Sequence, residues 1–156
     1  MKNLTYLLST LCVCVSLLLA SCEKVEDPFV GGVESPVLVV IEGTPRGDYS
    51  TDPTAAFAST AAVPIGAFFY ELDKTNILNA QGIDSIPVAS LSVSVSIRGG
   101  AKVADIATDG NGKATVSKTW AELGLATPKA GNLILMQWSG SHKGQAFVRY
   151  FKLQVK

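Results

Sequence analysis

Between residues 90 and 97 the chain alternates without a break. Ser90, Ser92, Ser94 and Ser96 interleave with Leu91, Val93, Val95 and Ile97. A period of two belongs to an extended strand, because a helix would scatter those aliphatics around its axis. The strand must have one buried face and one wet face. Further strand signals lie at 36–42 (Val37, Val39, Val40, Ile41), 63–72 (Ile65, Phe68, Phe69, Tyr70), 102–107, 113–119, 133–138 and 145–155. Seven strands joined by Gly- and Pro-rich turns predict an all-β, antiparallel β-sandwich. A parallel α/β fold is disfavoured, since no helical pattern of about 10–15 residues separates the strands.

The turns carry their own signals. Asp109-Gly110-Asn111-Gly112 separates two strands and reads as a hairpin, because Asn and Gly tolerate positive φ. Residues 139–144 read as a second hairpin. Residues 120–125, ahead of Thr127-Pro128, offer a short helical turn. Asp109, Asn111 and Lys113 imitate the start of a calcium loop. Lys113 replaces a ligand, however, and Trp120 stands where the loop needs its closing Glu. The segment is read as a turn.

The N-terminus has a different character. Met1-Lys2-Asn3 precedes an apolar run from Leu4 to Ala20, the pattern of an export signal. The run is marginal in length for a membrane span, and no basic cluster follows it. It ends Leu19-Ala20-Ser21-Cys22, which resembles the lipobox of bacterial lipoproteins. That resemblance implies a thioether to diacylglycerol on Cys22 and cleavage before it. The small Ala20 and Ser21 fit the peptidase, and an acyl chain such as palmitate is added to the new amine. Residues 1–21 are then a cleaved signal peptide, and several acyl chains anchor firmly where one is marginal.

Cysteine chemistry follows from this. The chain has three Cys. Cys12 and Cys14 leave with the signal, and Cys22 is consumed by lipid. Disulfides, Cys-zinc sites and thiol catalysis are excluded from the mature chain, so its fold must rest on its core. Residues 22–35 (Glu23, Glu26, Asp27, Pro28, Gly31, Gly32) form a flexible acidic tether. An acidic stretch behind a lipidated Cys also resembles the surface-export signal of bacteria with SusC/SusD-type nutrient importers. The sandwich domain occupies 36–156.

Val93-Ser-Val-Ser-Ile-Arg-Gly-Gly100, Ala107-Thr-Asp-Gly-Asn-Gly-Lys-Ala-Thr-Val116 and Pro128-Lys-Ala-Gly-Asn-Leu133 resemble bacterial immunoglobulin-like domains of the invasin and intimin type. The match covers about residues 88–138, and its central motif also occurs in transthyretin-like and carboxypeptidase-regulatory sandwiches. The resemblance implies an immunoglobulin-like β-sandwich outside the cytoplasm, with no catalytic residues.

Thirteen basic residues balance thirteen acidic ones, which disfavours an electrostatic nucleic-acid binder. A 47% hydrophobic content excludes wholesale disorder. One His excludes multi-His metal sites, and no cofactor is implied. His142 reads as an exposed turn residue, since no Gly-x-Ser-x-Gly setting supplies a nucleophile. Arg46-Gly47-Asp48 matches an integrin-binding tripeptide, but three residues recur by chance.

Two long irregular stretches, 43–62 and 73–87, stand out. They are binding loops, or an ordinary Ω-like loop or an unrecognised edge strand, and Ala55-Ala56-Phe57-Ala58 also reads as a helical turn. Trp138 alternates with Ile134 and Met136 and belongs to the core. Trp120 and Tyr49 are the candidate ligand-binding aromatics, with Asn76 or Asp84 as hydrogen-bonding neighbours and Tyr150 as a further candidate.

The expected function is a non-enzymatic lipoprotein of the outer membrane, facing the cell surface or the periplasm. It binds or assembles as an accessory subunit of a nutrient-uptake or adhesion complex. The alternative is a surface module that captures glycan or peptide through loop aromatics.

Overall fold

Alternating burial runs through the long strands of the protein. A computed structural model describes residues 35–45 and 50–156. Leu19, Ala20, Ser21, Cys22, the tether up to residue 34, Arg46-Gly47-Asp48 and Tyr49 lie outside the described residues. Within them, the chain forms nine strands and no helix. They are β1 (Leu38–Ile41), β2 (Thr54–Phe57), β3 (Val63–Asn76), β4 (Gly82–Pro87) and β5 (Ser92–Ile97). The rest are β6 (Lys102–Ala107), β7 (Lys113–Lys118), β8 (Leu133–His142) and β9 (Gln145–Val155).

Two sheets make a β-sandwich. In the first, β3 is central. β1 pairs with it on one edge, and β7 and β4 share the other edge end to end. The second runs β2-β9-β8-β5-β6. Every pair is antiparallel except β2 with β9, which is parallel.

The core lies between the sheets. Val39, Ile41, Ile65, Ala67 and Phe69 face it from the first, and Val93, Val95, Met136, Trp138, Phe147 and Phe151 from the second. Phe69 meets Trp138 edge-on, with centroids 5.7 Å apart at 84°, and tilts against Phe147 at 6.1 Å. Such aromatic pairs add about 0.5–1.5 kcal/mol beyond their buried area. Trp138 is fully buried, as its alternation requires.

Nine strands replace the expected seven. β2 and β4 lie inside the two stretches that lack strand patterning. Ala55 and Ala56 carry little β-propensity, yet β9 recruits them through Lys152 N–H to Pro53 O (2.8 Å) and Lys156 N–H to Phe57 O (2.9 Å).

The Asp109–Gly112 turn is not a hairpin. β6 belongs to the second sheet and β7 to the first, so the turn carries the chain across the sandwich. Asp109 Oδ1 accepts from the amides of Asn111 (2.8 Å) and Lys113 (2.9 Å), which explains the tight local geometry without strand pairing. Thr108 braces the same end from inside. Its hydroxyl accepts from Leu91 N–H at 2.8 Å and donates to Val88 O at 2.6 Å.

The β8–β9 connection is a true hairpin, tighter than residues 139–144 suggest. His142 pairs with Gln145, leaving Lys143 and Gly144 as the turn. Their φ values of 51° and 80° match the left-handed pair that a two-residue turn needs.

Gly112 is the position where only glycine fits. Its φ is +71°, and a Cβ there would stand 2.6 Å from Phe69 O. Gly110, in the same turn, has open space around it. Urea unfolding should therefore show a loss of about 2–4 kcal/mol for Gly112→Ala, from left-handed strain plus overpacking, and little change for Gly110→Ala.

Candidate functional site

Strand alternation that fills the core also decides what the second sheet shows to solvent. Its outer face carries Leu133 and Leu135 from β8, and Val148, Tyr150 and Lys152 from β9. β5 adds Ser92, Ser94 and Ser96. Register sets the rows. Leu135 lies opposite Lys152, Gln137 lies between Tyr150 and Ser96, and Ser139 lies between Val148 and Ser94. Leu133, Leu135, Val148 and Tyr150 are each 42–52% exposed, an unusual amount of apolar surface for one sheet face.

Arg98 follows β5 and donates its backbone N–H to Leu135 O at 2.9 Å. Its guanidinium lies 4.0 Å over the Tyr150 ring. Nη2 pairs with Asp52 Oδ1 at 2.5 Å. A cation on an aromatic face is favourable, and the ion pair keeps the guanidinium from swinging away. Asp52 is positioned by the strap that leads into β2. Arg149 reaches that strap, donating to Ser50 O at 3.0 Å and Thr51 O at 3.4 Å. The Arg98 hydrogen bond holds the Asp52 carboxyl below its ordinary range, and the charges of Lys152 and Arg149 add to this.

Beside this cluster runs a shallow groove lined by Ser92, Ser94, Asp105, Ser139, Ala146 and Val148. Ser94 donates to Asp105, which also pairs with Lys102 at 2.6 Å. The outer face of the first sheet carries exposed apolar residues too, with Leu38 and Val40 opposite Tyr70 and Phe68. Phe68 and Tyr70 stack with centroids 6.2 Å apart at 13°, next to the Lys113–Glu42 ion pair of 2.8 Å.

Trp120 does not belong to a binding surface. It is 3% exposed, and its indole N–H donates to Ala58 O at 2.9 Å. The expectation of a ligand-binding Trp120 is corrected: a buried ring offers no face to a ligand. The stretches 43–62 and 73–87 do not combine either. The first bonds to residues 149–156, whereas the second flanks the Lys143 turn at the other end of β9. Asn76 and Asp84 are engaged inside their own hairpin by Asn79 and Gln81. Tyr150, the further candidate, does reach the surface.

His142 is not an exposed turn residue. It ends β8, and its Nε2 lies 3.2 Å from Glu71 Oε2. Lys143 donates to the same carboxylate, and these two bonds hold Glu71 below the usual carboxylate range. Sequence reasoning missed Arg98 and Asp52. They stand 46 residues apart, and the strand-end motif that contains Arg98 carries no binding role. Among the described residues, no group of three or more His, Cys, Asp or Glu is arranged to hold a metal ion.

No known family model, curated protein or solved structure matches the chain.

The turn that seats Trp120 has a pH signature. Glu122 accepts from the Thr119 amide at 2.8 Å, from the Thr119 hydroxyl at 2.9 Å and from Lys118 at 3.1 Å. This lowers its pKa from 4.5 to about 2. A depressed carboxylate contributes stability above its unfolded pKa and loses it as pH falls through the folded value. Carbon-detected NMR should find Glu122 titrating at about 2, and Thr119→Ala should raise the midpoint only part of the way back, because the residue 119 amide and Lys118 still donate.

Proposed function

We propose that this protein is a non-catalytic binding and assembly module, held at the outer membrane by lipid on Cys22. It presents the outer face of its second sheet to a protein partner and acts as an accessory subunit of a surface complex for nutrient uptake or adhesion. The anchor rests on the run Leu19-Ala20-Ser21-Cys22. The binding role rests on the Arg98–Tyr150 stack pinned by Asp52. Tyr and Arg are the side chains that most often dominate protein interfaces. Here Tyr150 stands on β9 and Arg98 is held over it by Asp52, so little conformational entropy is lost on docking. Exposed Leu133, Leu135 and Val148 supply apolar contact around them.

Glycan capture has a narrower basis. Sugars stack on open aromatic faces, and the Arg98 guanidinium covers one face of Tyr150. Among the described residues, the Phe68–Tyr70 pair is the one stacked ring pair, and it favours this second reading. It predicts that polysaccharide retention is lost in a Phe68→Ala, Tyr70→Ala variant.

Two measurements test the main reading. Cys22→Ala should shift the protein from the membrane fraction to the soluble fraction. Membrane retention of a variant that has lost residues 1–21 would exclude the lipid anchor, whereas an uncleaved variant is held by its own apolar run. A photo-crosslinking residue placed at Leu135 should yield a defined adduct with one membrane protein in intact cells, whereas the same residue at Thr115, on the first sheet, should not. Equal labelling from both positions, or none from Leu135, would sink the assembly role of this face.

A further inference from the structure

We infer that the outer face of the second sheet takes an extended acidic peptide segment of its partner, with carboxylates on alternate residues. This rests on the reading of that face as the interface, and it specifies the chemistry of the partner.

Charge is the first argument. Arg98, Lys152 and Arg149 all act electrostatically on Asp52. On the outer face itself Arg98 and Lys152 stand against Asp52, two cations to one carboxylate, while Arg149 lies opposite Trp138 on the inner side of β9. Arg98 meets Asp52 through Nη2 and a single carboxylate oxygen. The face therefore carries one cation beyond the one Asp52 pairs with, and charge-assisted bonds to carboxylate are the strong ones.

Spacing is the second argument. The Arg98 guanidinium sits over Tyr150, and Lys152 is two residues along the same strand on the same face. Alternate residues of a strand lie ~7 Å apart. An extended peptide running along β9 repeats its side chains at the same interval, so acid-x-acid matches the two cations. Apolar neighbours of those acids have Leu133, Leu135 and Val148 to pack on. A dense polyanion fits less well. Asp52 and Asp105 share this face, and both would repel a polyuronate chain or an anionic lipid surface.

The test uses the full chain in non-ionic detergent and fluorescent peptides, read by anisotropy. One peptide alternates Glu with Val. A second has the same composition in two blocks. Polygalacturonate and phosphatidylglycerol vesicles serve as the competing anions. The alternating peptide should bind, and its affinity should fall with added salt. The block peptide should bind at least about 5-fold more weakly, Arg98→Gln should weaken binding about 10-fold and Lys152→Gln about 3-fold. Lys113→Gln, on the other sheet, should leave it unchanged. Because Lys152 is a surface residue, its variant keeps the test valid if Arg98→Gln folds poorly.

No binding of the alternating peptide overturns the proposal. So does binding that neither variant weakens, or tighter binding of polygalacturonate or vesicles. If Leu135 still crosslinks to a partner in cells while the peptide fails, only the acidic-peptide inference falls. Failure of both removes the interface itself.

Discussion

Phe69 holds this sandwich together in two ways at once. Its ring sits edge-on to Trp138 and tilts against Phe147, joining the inner faces of the two sheets. Its backbone occupies the junction where β4 and β7 meet along β3. Phe69 N–H donates to Gly112 O at 2.8 Å, and Phe69 O accepts from Val88 N–H at 3.0 Å. The chain has Cys only at positions 12, 14 and 22, so no disulfide can brace the sandwich. Side-chain packing must do so instead, and losing a buried aromatic from a core costs about 3–5 kcal/mol.

That arrangement leaves the outer face of the second sheet available. β8 and β9 pair over ten successive positions. A long, paired ribbon is a rigid platform, and side chains on it keep their spacing. Arg98 adds order of another kind. It ties the end of β5 to the strap before β2 and, through Tyr150, to β9. The same strap takes two hydrogen bonds from Arg149. An exposed stack fixed from both sides resembles the preorganised anchors of protein interfaces more than a solvated surface.

The sheet edges show a matching economy of exposure. At β1, the Ser35 hydroxyl caps Val37 O at 2.7 Å and the Thr44 hydroxyl caps Ile41 O at 2.9 Å. At β6, the register shifts between Val95 and Ser96, and Lys102 and Asp105 place charge on the rim. Bulges and charges discourage unwanted strand pairing. Contact through side chains on a face is then favoured over contact through a backbone edge.

The local pattern alone determined that Leu91, Val93 and Val95 face inward beside outward serines, that Trp138 is core and that the chain is all-β. Burial in a strand depends on alternation, which a few neighbouring residues contain. The tertiary structure alone decided partnership. It turned Asp109–Gly112 into a crossover, because the turn chemistry of Asp and Gly is the same whether the flanking strands pair or part. It recruited Ala55 and Ala56 into β2, where β9 supplies what propensity does not. Trp120 is buried because its indole finds an acceptor at Ala58, 62 residues earlier, while Tyr150 stays at the surface beneath Arg98. Such choices depend on groups distant in the chain that only the packed sheets bring together.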